Sequence, residues 1–356
     1  MRIPTEPIGS IPRPAELVAA RVDKQAGRIS IERFNQIADN ALHDTIRRFE
    51  ATGSPVITDG EQTKSSFVTY PLDTASGLDP NGIVVTFEDG HTRQLPRLTA
   101  GPFKYATHAA TYVEAAKRLT ALPVKQAVIS ASALSLLYPD SEMSGYPRET
   151  FLSDLIDEVA FDIRQCLDRG ADSVQIDFTE GRLSLKLDPS GGLLEDFIAL
   201  NNRVLDRFSA DERRRIGVHT CPGGDKDATH SARVDYASLL PALFRLRAGR
   251  FYIQLARESD PRRVLHIIRE QRRQDQIVFI GVIDPINPTV ETAQEVCDRT
   301  LLAAEYLPLS ALGTTDDCGF APFADDASTS REIAFEKIRA RVSGTALAER
   351  QLGHSV

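Results

Sequence analysis

Three residues of this chain have the types and the spacing of a zinc site that activates a thiol. His219 and Cys221 stand two residues apart in an apolar run, and Cys318 follows much later within Asp317-Cys318-Gly319. Side chains two apart on a strand point to the same face, so His219 and Cys221 are predicted to face one cavity. Catalytic zinc typically has three protein ligands and one position open to substrate. The pattern therefore predicts that His219, Cys221 and Cys318 bind Zn²⁺.

The composition is typical of a soluble globular protein that acts on small molecules. The chain has 356 residues, 42% of them hydrophobic, which is enough to bury a sizeable core. Its net charge of −8 comes from 50 acidic and 42 basic residues spread without long runs, which argues against binding to nucleic acid or to an anionic membrane. No membrane-spanning apolar run and no signal-peptide core is found, so we expect a cytoplasmic protein with reduced cysteines. No feature predicts an oligomeric state.

Apolar strand patterns alternate with amphipathic helix patterns along most of the chain. Strands are predicted near 55–58, 126–132, 173–178, 216–221, 251–256, 277–283 and 309–314, and helices near 30–53, 108–120, 148–169, 190–207, 236–248, 260–274, 289–306 and 330–343. Such alternation is typical of βα units around a parallel sheet. Seven or eight units in a row predict an α/β fold, a (β/α)8 TIM barrel made by a single domain over 1–356. An open doubly wound sheet is the alternative.

Polar residues follow the predicted strands, where a barrel would bring them to one mouth. Examples are Asp177, His219 and Gln254. The stretch 62–105 interrupts the alternation, because 82–91 is typical of a β-hairpin that turns at Asp89-Gly90. We expect 62–105 to be an insertion with a β-hairpin near the barrel mouth, and not a second domain.

Five short motifs resemble, in the same order, the catalytic domain of cobalamin-independent methionine synthase and its short homologues. They span positions 8 to about 320, and they are Ile8-Gly9-Ser10, Asp59-Gly60-Glu61, Gln175-Ile176-Asp177, His219-Thr220-Cys221 and Asp317-Cys318-Gly319. The resemblance implies a zinc-bearing barrel in which a substrate thiol binds the metal and, as thiolate, attacks an alkyl carbon. Carried over by motif, it implies that His219, Cys221 and Cys318 bind zinc. It also implies a pocket for the amino-acid part of homocysteine, made by Ile8, Ser10, Glu61 and Asp177.

Two departures from the family pattern concern the metal and the alkyl donor. The family's fourth zinc ligand is a glutamate on the strand after the His-x-Cys strand, and Gln254 stands where we place that glutamate. Gln254 is therefore the candidate fourth ligand, with Glu258 as the alternative. The chain also has no tryptophan, the residue on which methionine synthases stack the folate pterin. We therefore expect another alkyl donor or another thiol.

A resemblance to the epoxyalkane:coenzyme M transferases gives the nearest alternative function. In that group a zinc-bound thiolate opens an epoxide, and the thiol carries a sulfonate, so a cation is expected near the barrel mouth. Lys64, close to the Asp59-Gly60-Glu61 motif, is the candidate for binding the sulfonate. His230 is the candidate catalytic general acid for a leaving alkoxide or amine.

The sequence thus predicts an enzyme, a zinc-dependent thiol alkyltransferase of the methionine synthase type. Its partners would be a small-molecule thiol and an alkyl donor. The alternatives left open are the epoxide-opening thiol transferase and a non-catalytic zinc-binding homologue. A decarboxylase of the related uroporphyrinogen type would not need His219 and Cys221. Cys166 and Cys297 lie in helical patterns and are assigned no chemistry.

Overall fold

A six-stranded parallel sheet lies at the centre of the fold, in a computed structural model that describes residues 2–353. The strands of this range are β1 (Leu78–Asp79), β2 (Val84–Thr86), β3 (Thr92–Gln94), β4 (Arg97–Leu98), β5 (Lys125–Ile129), β6 (Ser173–Asp177), β7 (Ile216–Thr220), β8 (Gly224–Asp225), β9 (Ala228–Thr229), β10 (Arg250–Ile253), β11 (Ile277–Ile283) and β12 (Leu312–Asp316). The sheet has the order β12-β11-β10-β7-β6-β5. All residues of β5, β6, β7 and β12 are buried, as in sheets covered on both faces.

Helices alternate with the strands of this sheet. They are α1 (Ala15–Gln25), α2 (Ile31–Ala51), α3 (Ala110–Lys117), α4 (Ala131–Ser135), α5 (Arg148–Asp168), α6 (Glu180–Leu187), α7 (Gly192–Leu205), α8 (Ala210–Arg213), α9 (Tyr236–Leu243), α10 (Pro261–Gln271), α11 (Ala293–Ala304) and α12 (Arg331–Gly353). Apolar side chains from most of these helices and from the sheet form one large core. The expected α/β fold is confirmed. Within residues 2–353, no helix has both the length and the apolar content needed to cross a membrane.

Predicted and observed boundaries agree best where the hydrophobic periodicity is strong. The observed β11 has the predicted bounds, 277–283. Helix α2 begins after Ser30, whose side chain accepts a hydrogen bond from the Arg33 N–H, as the sequence predicts for a capping serine. The helix ends before Gly53, which has a φ of +76° that suits glycine.

Four strand predictions need correction. The strand predicted at 251–256 ends at Ile253, so Gln254 follows it. The strand predicted at 126–132 ends at Ile129, because the Ser130 side chain caps α4 directly afterwards. The strand predicted at 309–314 lies at Leu312–Asp316, because a single 3₁₀ turn precedes it. The strand predicted at 55–58 is reduced to one bridging residue, Ile57. Helices α1, α4, α6 and α8 are additional to the predicted ones.

Two chain segments extend the sheet at its edges. Thr5 forms a parallel bridge with β12, and Ile57 forms one beside β5. The two segments also contact each other, because the Ile11 N–H donates to the carbonyl oxygen of Gly60 at 3.0 Å. This arrangement places the first two sequence motifs next to the sheet.

A buried charge network holds the first of these segments. The Glu6 carboxylate accepts hydrogen bonds from the Tyr252 hydroxyl at 2.6 Å and from Arg250 Nη1 at 2.7 Å. Lys125 Nζ lies 3.8 Å from Glu6 Oε2. Removing one partner of a buried ion pair costs about 3–5 kcal/mol, so this network ties the amino-terminal segment firmly to β5 and β10.

Residues 62–105 contain two short antiparallel strand pairs. Strand β2 pairs with β3 on either side of Asp89-Gly90, and β1 pairs with β4. From β3, Arg93 reaches Asp225 at 2.6 Å and Asp325 at 2.9 Å, in the segments that follow β7 and β12. These ion pairs hold β2 and β3 against segments beyond the carboxyl ends of the sheet strands.

Candidate active site

A cavity of about 430 Å³ opens where the sheet strands end. Asp177, the last residue of β6, lines it beside His219 of β7, its register partner. Seven residues that the sequence predicts for the site are among those lining the cavity: Ile8, Ser10, Glu61, Asp177, His219, His230 and Cys318. The fold therefore collects at one place residues from both ends of the chain.

His219, Cys221 and Cys318 form a cluster at this cavity. Their ligand atoms lie within 4.8 Å of one another, and within residues 2–353 no other group of three His, Cys, Asp or Glu side chains is arranged to hold a metal ion. The Cys221 and Cys318 sulfurs are 3.2 Å apart, and both cysteines are free thiols. All three residues are buried. His219 lies near the end of β7 and Cys221 directly follows that strand, as their spacing predicts, and the loop after β12 brings Cys318.

The imidazole of His219 is buried without hydrogen-bond partners. Neither Nδ1 nor Nε2 has one, although the residue is only 2% exposed. Leaving a buried polar group without a partner costs about 1–3 kcal/mol of folding free energy. A ligand bound to a nitrogen of this ring would remove that cost. An unpaired imidazole beside two thiols is a set of donors that a metal ion would complete.

The two thiols of the cluster differ in acidity. The hydrogen bond from Cys221 lowers the pKa of the Cys318 thiol well below its ordinary value, and nearby His219 lowers it further. The same hydrogen bond, together with burial, raises the pKa of Cys221. Cys318 is therefore the first of the two to ionise, and the thiolate is the form that binds metal ions.

The loop that carries Cys318 is fixed by its two neighbours in sequence. The Asp317 carboxylate accepts hydrogen bonds from the three backbone N–H groups of 255–257, each at 2.9 Å. Burial raises the pKa of Asp317 to about 7. On the other side, Gly319 packs so closely on Ser10 that a Cβ would lie 2.1 Å from Ser10 Oγ. Asp317 and Gly319 thus set the position of Cys318 against the strand β10 end and the amino-terminal segment.

Asp177 and Glu61 are the carboxylates that the family resemblance implies for thiol binding, and both line the cavity. Asp177 Oδ1 accepts a hydrogen bond from Gln175 Nε2 at 2.7 Å. Burial raises the pKa of Asp177 to about 6, while His219 opposes the shift. Asp177 is therefore mostly ionised at neutral pH.

Lys64 forms a buried ion pair with Glu61. Its Nζ lies 3.0 Å from Glu61 Oε1, donates to the Ala127 carbonyl at 2.8 Å and lies over the ring of Tyr70. Glu61 lines the cavity, whereas Lys64 is not among the described residues that do. The expected role of Lys64 as a free cation for a sulfonate does not fit this pairing.

The side-chain amide nitrogen of Gln254 is engaged outside the cluster. Its Nε2 donates to Glu258 Oε1 at 3.1 Å, and the same carboxylate oxygen accepts from Arg182 at 3.2 Å. Glu258 does not belong to the cluster of potential metal ligands found among residues 2–353. Both candidates for a fourth ligand thus bind each other in this structure.

His230 lines the cavity but is not the surface residue that its loop position suggests. It is 6% exposed, and its Nδ1 lies 2.9 Å from Ser231 Oγ. Burial lowers the pKa of His230 to about 3, helped by Lys186 and Arg182. The ring is therefore neutral at neutral pH, and the general-acid role expected for an imidazolium does not fit it.

The depressed pKa of His230 has a consequence for stability. The folded state resists protonation of this ring. The contribution of the neutral ring to the free energy of unfolding is therefore fully present above pH 6.5, the ordinary pKa of histidine, and is lost as the pH falls toward 3. We expect His230→Gln to lose less free energy of unfolding than the wild-type protein over that interval. Urea titrations at a series of pH values check this, and parallel losses in the two proteins would contradict it.

The sequence did not indicate which residues wall the cavity. The outer wall of the cavity is largely apolar and is formed by the 62–105 stretch and by the loop after β12. Its apolar residues include Phe67, Val68, Val85, Phe87, Leu95 and Phe323. The apolar residues of 82–95 predicted strands, but they did not show which face of those strands lines the cavity. Glu180, the first residue of the unpredicted α6, also lines the cavity.

The chain matches one known protein family over most of its length. The family described as the catalytic domain of cobalamin-independent synthase matches residues 3–334. The chain belongs to this family. The resemblance carried by the five sequence motifs is thereby confirmed.

Relatives cover nearly the whole chain at low identity. The methionine synthase of Sulfurisphaera tokodaii is 22% identical, over 98% of this chain and 94% of the relative. The 2-hydroxypropyl-CoM lyase of Xanthobacter autotrophicus is 26% identical, over 98% and 96%. In fold, the chain is similar to the B12-independent methionine synthase from Shewanella sp. W3-18-1, solved with selenomethionine, with a TM-score of 0.76, 19% identity and 99% coverage of both chains.

Proposed function

We propose that this chain is a zinc-dependent enzyme that transfers a methyl or other alkyl group to a thiol, with homocysteine or a similar amino-acid thiol as the acceptor. The observation that carries the proposal is the buried cluster of His219, Cys221 and Cys318 at a cavity. Membership of the cobalamin-independent synthase family, whose relatives are named for reactions of thiols, supports it.

The three side chains fit zinc in type and in distance. Zn–S bonds of about 2.3 Å in a tetrahedral site put two sulfurs about 3.8 Å apart, so the thiols at 3.2 Å would separate only slightly. His219 has ring nitrogens free for the metal. Imidazole and thiolate ligands favour zinc over magnesium or calcium, which prefer oxygen.

When bound, zinc would stabilise the acceptor as a thiolate at neutral pH while keeping it nucleophilic. The remaining tasks fall to the chain itself. Asp177 and Glu61 lie at the same cavity and would bind the ammonium group of an amino-acid thiol, which orients its sulfur toward the cluster. The apolar wall from 62–105 would exclude water from the alkyl donor.

The charges at the cavity favour an amino-acid thiol over a sulfonate. Four lining residues are acidic, Glu61, Asp177, Glu180 and Asp325, and Arg93 is the one lysine or arginine among the lining residues that the structure describes. Arg93 is already paired with two aspartates, and Lys64 is paired with Glu61. An anionic substrate group would therefore find no unpaired cation among the described lining residues.

Epoxide opening by coenzyme M is the second candidate. It is supported by the 26% identity to the Xanthobacter autotrophicus 2-hydroxypropyl-CoM lyase and by the absence of tryptophan from the sequence. The acidic cavity speaks against the sulfonate of coenzyme M but leaves the choice of alkyl donor open. A non-catalytic zinc-binding homologue is the remaining alternative.

We also propose that the sheet is part of a closed (β/α)8 barrel in a single domain, with 62–105 inserted near its mouth. Supporting this, the edge segments at Thr5 and Ile57 bridge to β12 and β5 and contact each other between Ile11 and Gly60. The eight parallel positions then form a ring, with the cavity at the carboxyl end where barrel enzymes have their active sites.

Gln254 is expected to matter little for the metal. Because its amide binds Glu258 and is a weaker ligand than a carboxylate or thiolate, we expect Gln254→Ala to retain about one zinc per chain. Metal analysis of the purified variant checks this. Loss of most of the zinc would make the amide a true ligand and the three-residue site incomplete.

The proposed function is tested directly by product analysis. The wild-type protein is incubated with homocysteine or coenzyme M and, in separate reactions, with methyl iodide, 5-methyltetrahydrofolate or epoxypropane. We expect the homocysteine thioether to form faster than in the uncatalysed reaction, and to be identified by mass spectrometry. Absence of any catalysed thioether with every pair would favour the non-catalytic reading.

A further inference from the structure

One carboxyl group at the cavity has no task in the function proposed so far. Glu180 begins α6, lines the cavity and is 5% exposed. Its Oε1 accepts hydrogen bonds from the hydroxyls of Ser130 and Ser132, and Asn201 Nδ2 donates to Ser132 at 2.6 Å. Its Oε2 is buried without any partner. One oxygen is thus fixed by a built network, and the other is left for a ligand or a proton.

The surroundings of Glu180 suit a group that changes protonation near neutral pH. Burial raises the pKa of Glu180 to about 7, against the two serine hydroxyls, and the Asp177 carboxylate raises it further. The side chains that bind it are uncharged serines, Ser130 at the amino-terminal cap of α4 and Ser132 within α4, and α7 contributes the neutral Asn201 to the same network. The other titratable or charged residues lining the cavity are Glu61, Arg93, His219, His230, Cys318 and Asp325. Among the carboxylates there, Glu61 is already paired with Lys64.

From this geometry we propose that Glu180 is a further catalytic residue, which gives a proton to the leaving atom of the alkyl donor. The inference rests on the proposed thiol alkyl transfer. In that step the S–C bond forms, the bond from carbon to the leaving nitrogen or oxygen breaks, and its electron pair stays on the leaving atom. That atom takes the proton of Glu180. The proton that the next thiol releases on ionisation restores the acid, so each turnover converts a thiol and a donor into a thioether and a protonated leaving group.

His230, the general acid expected from the sequence, is a poor candidate for this task because it is neutral at neutral pH. Asp177, with a pKa of about 6, is mostly ionised there and suits binding of an ammonium group. Glu180 is the carboxyl that combines a cavity position, an unpaired oxygen and a structural network on its other oxygen.

The test uses donors that differ in what their leaving group needs. Iodide leaves methyl iodide without a proton, whereas the oxygen of epoxypropane and the nitrogen of 5-methyltetrahydrofolate require one. Glu180→Gln keeps an oxygen for the two serines but has no proton of this acidity. We expect it to slow single-turnover alkylation of homocysteine by the proton-requiring donors roughly 100-fold, the size of general acid catalysis, and to leave the methyl iodide rate unchanged. Glu180→Asp should restore part of the lost rate with a displaced pH profile.

Glu158→Gln is the matched control, because Glu158 is also buried and accepts a backbone hydrogen bond, from Tyr105, but is not among the described residues lining the cavity. Equal losses with all donors, or no loss with any, would overturn the proposal. Infrared titration of wild-type protein and Glu180→Gln gives an answer independent of turnover. Because Asp317 also has a pKa of about 7, we expect the carboxylic acid signal that titrates near pH 7 to be weaker in Glu180→Gln than in wild-type protein but not absent. An equal signal in the two proteins would contradict the assignment. Failure of every donor in wild-type protein would instead reject the proposed function.

Discussion

Cys318→Ser is expected to abolish both zinc binding and thiol alkylation. The variant replaces the more acidic of the two clustered thiols by a hydroxyl that does not ionise near neutral pH. With only His219 and Cys221 left, the site falls below the three protein ligands of a catalytic zinc centre. Metal analysis should find about one zinc per wild-type chain and only traces in the variant, and Cys221→Ser should behave alike.

Cys297→Ser is the matched control for this experiment. Cys297 is another buried free thiol, in α11, and does not belong to the cluster. The Cys297→Ser variant should keep both its zinc and its activity. If Cys221→Ser and Cys318→Ser both retained the full metal content, the proposed metal site would be wrong, whatever their activity.

Asp177→Asn is expected to weaken the binding of homocysteine by roughly 1.5–3 kcal/mol, the range for hydrogen bonds to charged groups. This corresponds to about a tenfold to 150-fold higher Kd. The reason is that the Asp177 carboxylate lines the cavity and is ionised above about pH 6, so it can pair with an ammonium group. Zinc should stay bound. Calorimetric titration with homocysteine and with coenzyme M measures the effect.

Coenzyme M has no ammonium group and should bind Asp177→Asn no more weakly than the wild-type protein. Asp162→Asn serves as the control, because burial also raises the pKa of Asp162 to about 6 but its carboxylate binds Tyr70 and is not among the described residues lining the cavity. If Asp177→Asn bound homocysteine normally, the acceptor pocket carried over from the family would not be the pocket used here.

Local patterns in the sequence predicted much of this molecule. Strand β7 follows from a continuous apolar run, and the common direction of His219 and Cys221 follows from their spacing of two residues. Helix α2 follows from its apolar stripe with Ser30 as the cap. Residue types suggested Cys318 as the third ligand, and the order of five motifs supported that choice. The structure brings the three ligand atoms within 4.8 Å of one another.

The properties that sequence reasoning missed depend on contacts between distant segments. Lys64 is paired with the carboxylate of Glu61 and donates a hydrogen bond to the carbonyl of Ala127, and a sequence pattern does not reveal these contacts. His230 lies in a polar loop, yet packing against Phe87 of the 62–105 stretch helps to bury it, and burial alters its pKa. Glu180 is held by hydrogen bonds from serines about 50 positions earlier in the chain. Burial and electrostatics of this kind are set by tertiary packing and not by periodicity.

X-ray absorption at the zinc edge tests the central claim most directly, namely that a substrate thiol becomes a ligand of a metal held by His219, Cys221 and Cys318. The spectrum of the zinc-loaded protein is compared before and after addition of homocysteine, with coenzyme M as the second thiol. We predict two sulfur ligands in the protein alone and three after homocysteine is added, at Zn–S distances of about 2.3 Å. An unchanged sulfur count with both thiols would contradict the account.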